Sequence, residues 1–504
     1  MLQIVGIKHK ILNFVLIKFT VLKRGDIIEV TITDYAFGGK GIAKVLTNIN
    51  NEEVLYPIFV DNTFPGQTVK ARIAKKRKKF AECKLIEVIE RSPQEIEVPY
   101  QPISGAPYIT LPIELQQQYK KSSTIDIYRK LGGFYDSEDL FDEFISSPNS
   151  FDYRNKMEYS FSTIRKELST GEELDDQFAL GFKTRGTWWK VENLEKEDGL
   201  FDTEFERLVK EIRLFLEKTG LPAWHPPKKE GFFRHLVVRK SFDVNKLLIN
   251  LVTSSQGLKD FKRDEFSEFM QNLLGDRLAG LQHTINDDVA DRAKIENGNN
   301  QLLFGESVVL EKLLGLHFEI SMESFFQTNP MSAERLYTKA ISYAQENFDL
   351  KGQVIMDLFC GTGTIGQILA NQIEDVKVIG VDIVAEAIED AKRNAKRNKI
   401  DNLEFYAADV GKFLREYPDF NNKIHTIVLD PPRAGIAPKT LLKVIALNAK
   451  QIVYISCNPS TQARDARTLE DNGYEFKKFS LVDQFPHTSH IEAVGLFVRN
   501  LNSI

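Results

Sequence analysis

The feature that most constrains the fold is an alternation of short apolar runs and amphipathic segments over residues 335–504. This alternation is typical of a parallel sheet whose strands are joined by crossover helices. Amphipathic segments such as Ala385–Asn398 lie between the runs. We therefore predict a doubly wound α/β region. Its strands are predicted at Val354–Phe359, Lys377–Asp382, Leu403–Ala407, Thr426–Leu429, Gln451–Ser456 and Glu492–Val498.

A chain of 504 residues is too long for a single core, so two or three domains are expected. Residues 22–92 contain short alternating strands separated by Gly and Pro turns, which predicts a small OB-like β-barrel. Residues 96–320 read as mixed α+β, with helical periodicity over Leu111–Leu131 and Thr203–Thr219. The predicted domains are thus 22–92, 96–320 and 321–504.

The first 21 residues are predicted to form an N-terminal extension. The apolar run there is broken by Lys8, Lys10 and Lys18, so it resembles neither a membrane span nor a signal peptide. An extra strand on the first domain is the alternative. Three cysteines in 504 residues make no disulfide framework, which favours a cytoplasmic protein, and Cys83 is interpreted as a packing residue.

The charge is distributed unevenly along a chain whose formal net charge is −5. Residues 1–100 carry 16 Lys and Arg against 11 Asp and Glu, a net of +5, so the remainder carries −10. The sharpest feature is the unbroken basic run Lys75–Lys79. Because salt screens distant charges within about 10 Å, such a run can bind phosphate locally on an acidic chain. A solvated hairpin tip is the alternative interpretation.

A glycine-rich turn follows the strand at 354–359. Gly361, Gly363 and Gly366 match the pattern GxGxxG, and Asp382 ends the next strand, where it could accept hydrogen bonds from a ribose. This much is compatible with NAD or S-adenosylmethionine. Asp357 before the glycines and Asp409 after the third strand favour S-adenosylmethionine. An acidic residue at the end of each of the first three strands resembles class I methyltransferases.

Two further strand ends carry residues that suit methylation of a uracil ring. The fourth strand ends in Asp430-Pro-Pro-Arg433 and the fifth in Ser456-Cys457-Asn-Pro, and the carboxyl ends of parallel strands face the ligand cleft. Uracil carbon 5 is a poor nucleophile until a thiolate adds at carbon 6. The adduct must then lose its carbon 5 proton to a base, for which Glu492 is the candidate. Cys360 in the glycine turn is interpreted as a packing residue.

Longer motifs give the chain a close resemblance to the RNA uracil-5-methyltransferase family. Tyr35-Ala-Phe-Gly-Gly-Lys-Gly-Ile-Ala is similar to a TRAM domain, an OB-like RNA-binding module. Tyr153-Arg-Asn-Lys-Met-Glu-Tyr-Ser-Phe and Phe325-Phe-Gln-Thr-Asn329 match two further family segments, and Cys457 and Glu492 lie in the nucleophile and base motifs. The resemblance implies a C-terminal Rossmann-like methyltransferase domain and an RNA substrate that Lys75–Lys79 could contact.

The resemblance also implies a role for each matching residue. Cys457 and Glu492 would be catalytic. Phe325, Gln327 and Arg433 would hold the uracil. The residues implied to line the S-adenosylmethionine site are Gln327, Phe359, Thr364, Asp382, Asp409 and Asp430. His487 and His490 would shape a loop or contact phosphate.

The sequence departs from many 23S rRNA members of the family in its cysteines. Those members hold an iron–sulfur cluster with four cysteines, whereas this chain has only Cys83, Cys360 and Cys457. We predict no cluster and no other metal. The TRAM-like segment favours 23S rRNA as substrate over tRNA. Methylation of a base amino group, or RNA binding without catalysis, are further alternatives, and we expect a monomer that does not enter a membrane.

Overall fold

The structure is a computed structural model that describes residues 18–19, 22–49, 52–167, 170–184, 186–288 and 299–500. The chain divides into two compact units, Met1–Glu95 and Ile96–Ile504. Apart from Lys18–Phe19, the predicted extension 1–21 lies outside the described residues. The predicted boundary at 320/321 falls inside the second unit, and the division into a central and a C-terminal domain stays a prediction.

The first unit is a single β-sheet around a small apolar core. Its strands are β1 (Lys18–Phe19), β2 (Ile27–Thr31), β3 (Asp34–Ala36), β4 (Lys40–Ile49), β5 (Glu52–Asp61), β6 (Thr68–Lys76) and β7 (Ala81–Glu90). They pair in the order β1-β4-β5-β7-β6-β2, with β3 on β4. Alternate residues of β2 and β6 are buried, as the period-two pattern predicts. Cys83 is buried in this core, in agreement with a packing role.

The second unit begins with a mixed α+β region. Its helices are α1 (Ile113–Ile127), which continues as a π-helical turn at Tyr128–Gly132, α2 (Thr203–Glu217) and α3 (Arg263–Leu274), followed by a 3-10 turn at Gly275–Arg277. Its strands are β8 (Phe141–Ile145), β9 (Lys156–Ser162), β10 (Arg165–Lys166), β11 (Glu173–Leu174), β12 (Ala179–Lys183), β13 (Val191–Asn193), β14 (Phe233–Ser241), β15 (Lys246–Thr253), β16 (Leu278–Ile285), β17 (Asn299–Gly305), β18 (Val308–Leu313) and β19 (Leu316–Ser321). Most of them form one sheet, in the order β11-β10-β13-β12-β9-β14-β15-β16-β17, while β18 and β19 form a hairpin.

The C-terminal part of the second unit alternates strands and helices. Its strands are β20 (Val354–Leu358), β21 (Lys377–Asp382), β22 (Leu403–Ala407), β23 (Thr426–Leu429), β24 (Gln451–Ser456), β25 (Tyr474–Val482) and β26 (Glu492–Arg499). Its helices are α4 (Pro330–Glu346), α5 (Thr364–Gln372), α6 (Ala385–Arg397), α7 (Val410–Glu416), α8 (Pro438–Ala446) and α9 (Pro459–Glu470), with a 3-10 turn at Pro418–Phe420. None of the helices in the described part of the chain combines the length and apolar character needed to cross a bilayer.

The C-terminal sheet has the order β22-β21-β20-β23-β24-β26-β25-β8. β20 to β24 are parallel to one another, and β26 is antiparallel to both β24 and β25. The order reverses on either side of β20, which is the point where doubly wound sheets bind their ligands. The carboxyl ends of β20, β21, β23 and β24 carry the predicted site residues, and they meet at this edge.

Candidate active site

The turn after β20 has the backbone conformation that its glycines permit. Phe359, Gly361 and Gly363 have φ values of +65°, +54° and +70°, in the left-handed region. The amide of Gly361 donates to Oδ2 of Asp382 at 2.9 Å, which ties the turn to the end of β21. A Cβ added at Gly361 would meet no atom within 4 Å, so the backbone lies open there to a ligand. Thr364 begins α5 directly after the turn.

Asp357 lies buried beneath this turn. Its Oδ2 accepts from the amide of Gly366 at 2.9 Å, and its Oδ1 has no hydrogen-bond partner. Burial, followed by the nearby charge of Asp430, raises the pKa of Asp357 to about 7. Burial alone raises the pKa of Asp430 to about 7. The strand ends therefore hold two carboxyl groups in a low-dielectric environment, one of them with an unused acceptor.

The other two acidic residues at strand ends are already engaged locally. Asp382 accepts from the amides of Gly361 and Val384, the latter at 2.8 Å. Asp409 is exposed and is the N-cap of α7, where its Oδ1 accepts from the amide of Lys412 at 2.9 Å. Carboxylate oxygens accept more than one hydrogen bond, so both residues remain able to accept from a ligand. The capping of α7 is a sufficient structural reason for an aspartate at position 409, even if Asp409 binds no ligand.

The segment Phe325–Asn329 lies against the glycine turn. Phe325 is 68% exposed, whereas Phe326 packs in the core. The hydroxyl of Thr362 donates to the carbonyl of Phe325 at 3.4 Å. Asn329 caps α4 through the amide of Ser332. An exposed aromatic ring thus stands beside the glycine turn, on a segment anchored at both ends.

Cys457 lies at the end of β24, beside the loop that carries Arg433. The side-chain amide of Asn458 donates to the carbonyl of Arg433 at 3.0 Å, which joins the two strand-end motifs. Burial, followed by the charges of Glu492 and Asp430, raises the pKa of the Cys457 thiol to about 11, and Arg433 opposes this shift. The thiol is therefore protonated at neutral pH in the absence of a ligand.

Glu492 is the first residue of β26 and is 4% exposed. Burial, followed by the charge of Asp430, raises its pKa well above the usual range, and Arg433 again opposes the shift. The sequence predicted that Cys457 and Glu492 face the same cleft, and in the structure they lie within electrostatic range of one another and of Asp430. A buried carboxyl group whose pKa is raised in this way is a candidate general base.

Sequence reasoning missed Tyr337 and Lys120. Tyr337, on α4, is buried and hydrogen-bonded to the side chain of Gln327; burial, followed by the charge of Asp430, raises its pKa well above the usual range. Lys120, on α1, forms an ion pair with Asp483 in which both side chains are buried. Tyr337 could have been found from the sequence, because it lies about two turns into the helix α4 that begins after Asn329, the last residue of the segment that carries Gln327. Nothing in the sequence around Lys120 distinguishes it from a surface lysine.

The other predicted residues lie in varied environments. Cys360 is half-buried in the glycine turn, and burial raises the pKa of its thiol well above the usual range. His487 is buried and stacks on Phe151 with 4.4 Å between ring centroids. Burial, followed by the charge of Lys120, lowers its pKa to about 4, so it is neutral. Its role in the structure is to shape the loop before Glu492.

Two family models match separate parts of the chain. Residues 300–500 match the tRNA (uracil-5-)-methyltransferase model, and residues 21–86 match the TRAM domain. An RNA methyltransferase of Clostridium tetani is 36% identical over 482 residues, covering 94% of this chain and 98% of the relative. One from Caldanaerobacter subterraneus is 37% identical over 95% of this chain and 100% of the relative.

A solved structure shares the fold over nearly the whole chain. The tRNA (uracil-54, C5)-methyltransferase of Pyrococcus abyssi, crystallised with S-adenosyl-L-homocysteine, superposes with a TM-score of 0.66. It covers 94% of this chain and 100% of its own length, at 24% sequence identity. The likeness supports a Rossmann-like architecture in the C-terminal part of the chain and a β-rich N-terminal domain.

Proposed function

Because the chain belongs to the tRNA (uracil-5-)-methyltransferase family of S-adenosylmethionine-dependent RNA methyltransferases, we propose that it methylates carbon 5 of a uracil through a covalent bond between Cys457 and carbon 6. The observation that carries the proposal is the convergence of Cys457, Glu492, Asp430 and Arg433, whose charges act on one another. A thiol and a buried carboxyl group next to the cofactor edge are the two groups that this chemistry requires.

The residues would act in a fixed order. The Cys457 thiol loses its proton to solvent, and the thiolate adds to carbon 6 of the uracil, which turns the ring into an enolate. Arg433 is the neighbour that lowers the thiol pKa, so it favours the thiolate. Carbon 5 of the enolate would then form a bond to the methyl group that S-adenosylmethionine supplies, as the methyl–sulfur bond breaks and the donor leaves as a neutral thioether. Glu492 removes the carbon 5 proton, the electron pair restores the 5,6 double bond, and the sulfur of Cys457 leaves as thiolate.

The cofactor residues follow from the open turn and the strand ends. S-adenosylmethionine, when bound, supplies an electrophilic methyl group on a sulfonium. We propose that Asp382 and Asp409 accept hydrogen bonds from its ribose and adenine, with Phe359, Thr364, Gln327 and Asp430 lining the site. The open space at Gly361 and the unpartnered Oδ1 of Asp357 support a ligand at this edge. The free thiol pKa of about 11 indicates that a bound cation would favour the reactive thiolate.

For the RNA, we propose that the target uracil leaves its stack and rests against Phe325, whose exposed ring suits base stacking. The exposed basic run Lys75–Lys79, at the turn between β6 and β7, is proposed to contact phosphates. 23S rRNA is our first choice because the resemblance through the TRAM-like segment favours it, and tRNA is the second candidate because the Pyrococcus abyssi enzyme that shares the fold is named as a tRNA methyltransferase. We expect the enzyme to act as a monomer in the cytoplasm.

The decisive experiment replaces the nucleophile. Cys457→Ala should reduce methylation of RNA from a strain that lacks the gene by more than about 10³-fold while S-adenosylmethionine still binds. The wild-type enzyme should form a denaturation-resistant complex with 5-fluorouridine RNA, because fluorine at carbon 5 cannot leave as a proton. Cys83→Ala is the matched control and should keep both properties. Full activity in Cys457→Ala would exclude the mechanism, and mapping 5-methyluridine in rRNA and tRNA would identify the substrate.

A further inference from the structure

We propose that Lys120 and Gln116 of α1 are positioning residues for the general base, because they hold the loop 483–491 that delivers Glu492 to the site. The inference rests on the proposed function, in which Glu492 removes the carbon 5 proton. Neither residue is close to the glycine turn or the nucleophile in sequence, and both are 2% exposed although they are polar. We call these two side chains and their partners in the loop the loop clamp.

The ion pair between Lys120 and Asp483 is the centre of the loop clamp. Nζ of Lys120 lies 2.7 Å from Oδ1 of Asp483 and donates a second hydrogen bond to the carbonyl of Phe485 at 3.0 Å. The carboxylate is fully buried, and its other oxygen has no partner. Replacing a buried ion pair with an apolar pair of similar size is often neutral or stabilising, so stability alone does not account for this pair, and in some proteins such pairs fix a unique geometry. The loop clamp assigns this second role to the pair of Lys120 and Asp483.

Gln116, one helical turn before Lys120 on α1, holds the loop at His487. Its side-chain nitrogen lies 3.1 Å from Nδ1 of His487, and its oxygen accepts from the backbone amide of His487 at 2.8 Å. Residue 487 has a φ of +64°, a left-handed conformation that costs about 1 kcal/mol for a side chain with a Cβ. The hydrogen bonds from Gln116 and the stacking of Phe151 compensate for this strain. The loop is therefore fixed on α1 at two points.

The same loop is also hydrogen-bonded to Asn329, at the end of the segment that carries Gln327, and to Tyr153. Asn329 and Gln484 exchange hydrogen bonds, from each side chain to the carbonyl of the other residue, at 3.1 and 2.9 Å. The hydroxyl of Tyr153 donates to the carbonyl of Pro486 at 2.9 Å. The loop 483–491 thus joins α1 to the segment that carries Gln327.

Strand register connects the loop clamp to the base. In the hairpin of β25 and β26, Val482 pairs with Glu492, so Asp483 is the residue next to the one opposite the base. Because Asp483 adjoins the residue that pairs with Glu492, an anchor at Asp483 also restricts the start of β26. Because a displacement of about 1 Å at a reacting group can cost about 10²-fold in rate, a firm anchor at Asp483 has a kinetic consequence.

The test separates proton removal from methyl transfer. Enzyme is incubated with S-adenosylmethionine carrying a tritiated methyl group and RNA from a strain that lacks the gene, and the label that stays on protein under denaturing conditions is measured. If Glu492 is the base, Glu492→Gln accumulates labelled adduct. Lys120→Met should accumulate it too, with a fall in kcat of about 10²-fold and a KM for S-adenosylmethionine within about twofold of wild type. Lys121→Met, on the exposed neighbour, is the matched control.

The outcomes are distinguishable. If Glu492→Gln accumulates adduct and Lys120→Met behaves as Lys121→Met, the loop clamp has no positioning role. Loss of cofactor binding in Lys120→Met, without adduct, would show that the ion pair serves only folding and would also overturn the inference. If Lys120→Met does not fold, Gln116→Leu gives the same test and should show the same accumulation. Absence of adduct in an otherwise folded Glu492→Gln enzyme would instead refute the base role and the inference with it.

Discussion

The two halves of the proposed site are built in different ways; we call them the cofactor half, around the glycine turn, and the base half, around Glu492. In the cofactor half, the contacts are short in sequence: Asp357 binds the amide of Gly366, nine residues away, and Asp382 binds that of Gly361, 21 residues away. In the base half, the loop before Glu492 is held by Lys120 across 363 residues and by Gln116 across 371. A locally encoded half can be recognised from a motif, whereas the other half depends on the folding of the whole second unit.

The largest expected loss in the free energy of unfolding comes from removing the ion pair of the base half. Lys120→Met leaves the buried carboxylate of Asp483 without its cation, and removing one partner of a buried pair costs about 3–5 kcal/mol in the free energy of unfolding. The double variant Lys120→Met/Asp483→Asn removes the stranded charge and should recover at least about 1 kcal/mol of this loss. Urea unfolding of both proteins, followed by circular dichroism, measures the difference. A loss below about 1 kcal/mol in Lys120→Met would show that the loop is held mainly by its other contacts.

A smaller effect is expected in the cofactor half, where two glycines can be compared. At Gly363 an added Cβ would lie 2.4 Å from the ring of Phe405, and φ is +70°, so Gly363→Ala should cost about 2–4 kcal/mol in the free energy of unfolding.

At Gly361 an added Cβ would meet no atom within 4 Å. Gly361→Ala should therefore cost only about 1 kcal/mol in the free energy of unfolding, from the left-handed backbone conformation. Gly361→Ala should nevertheless weaken S-adenosylmethionine binding, because the methyl group enters the open cradle. Calorimetric titration and urea unfolding of both variants distinguish the two effects. Normal cofactor binding in Gly361→Ala would show that the open space at this position is not the cofactor site.

The difference between the halves also explains what the sequence revealed. The strands at 377–382, 403–407, 426–429 and 451–456 end where their apolar runs end, so their boundaries were predicted correctly. Strand ends of a parallel sheet share one edge, which made the grouping of Asp357, Asp382, Asp430 and Cys457 predictable. The helix α1 was predicted from its periodicity, but its contact with the site was not, because its buried residues are mostly polar: Gln116, Lys120, Ser123 and Thr124, beside Ile125. Long-range polar contacts have no sequence period, and Lys120 therefore escaped notice.

The smallest expected effect is a change in the thiol pKa of Cys457, which lies between the two halves. Its thiol pKa of about 11 is raised above the ordinary value by burial, then by Glu492 from the base half and by Asp430 from the cofactor half. Because only the thiolate reacts, alkylation of the free enzyme by iodoacetamide should be slow at pH 8 and rise about tenfold per pH unit towards pH 11.

Removing a negative neighbour stabilises the thiolate, so both Glu492→Gln and Asp430→Asn should lower the pKa obtained from this profile. The shift should be larger for Glu492→Gln than for Asp430→Asn, because the charge of Glu492 raises the thiol pKa more than that of Asp430 does. Peptide mapping by mass spectrometry assigns the label to Cys457. The other two cysteines should react little, because burial raises the pKa of the Cys83 thiol to about 12 and that of the Cys360 thiol well above its usual value. A larger shift in Asp430→Asn would mean that the cofactor half controls the nucleophile. Equal profiles in all three proteins would mean that burial alone sets the thiol pKa and that the two halves meet without electrostatic coupling.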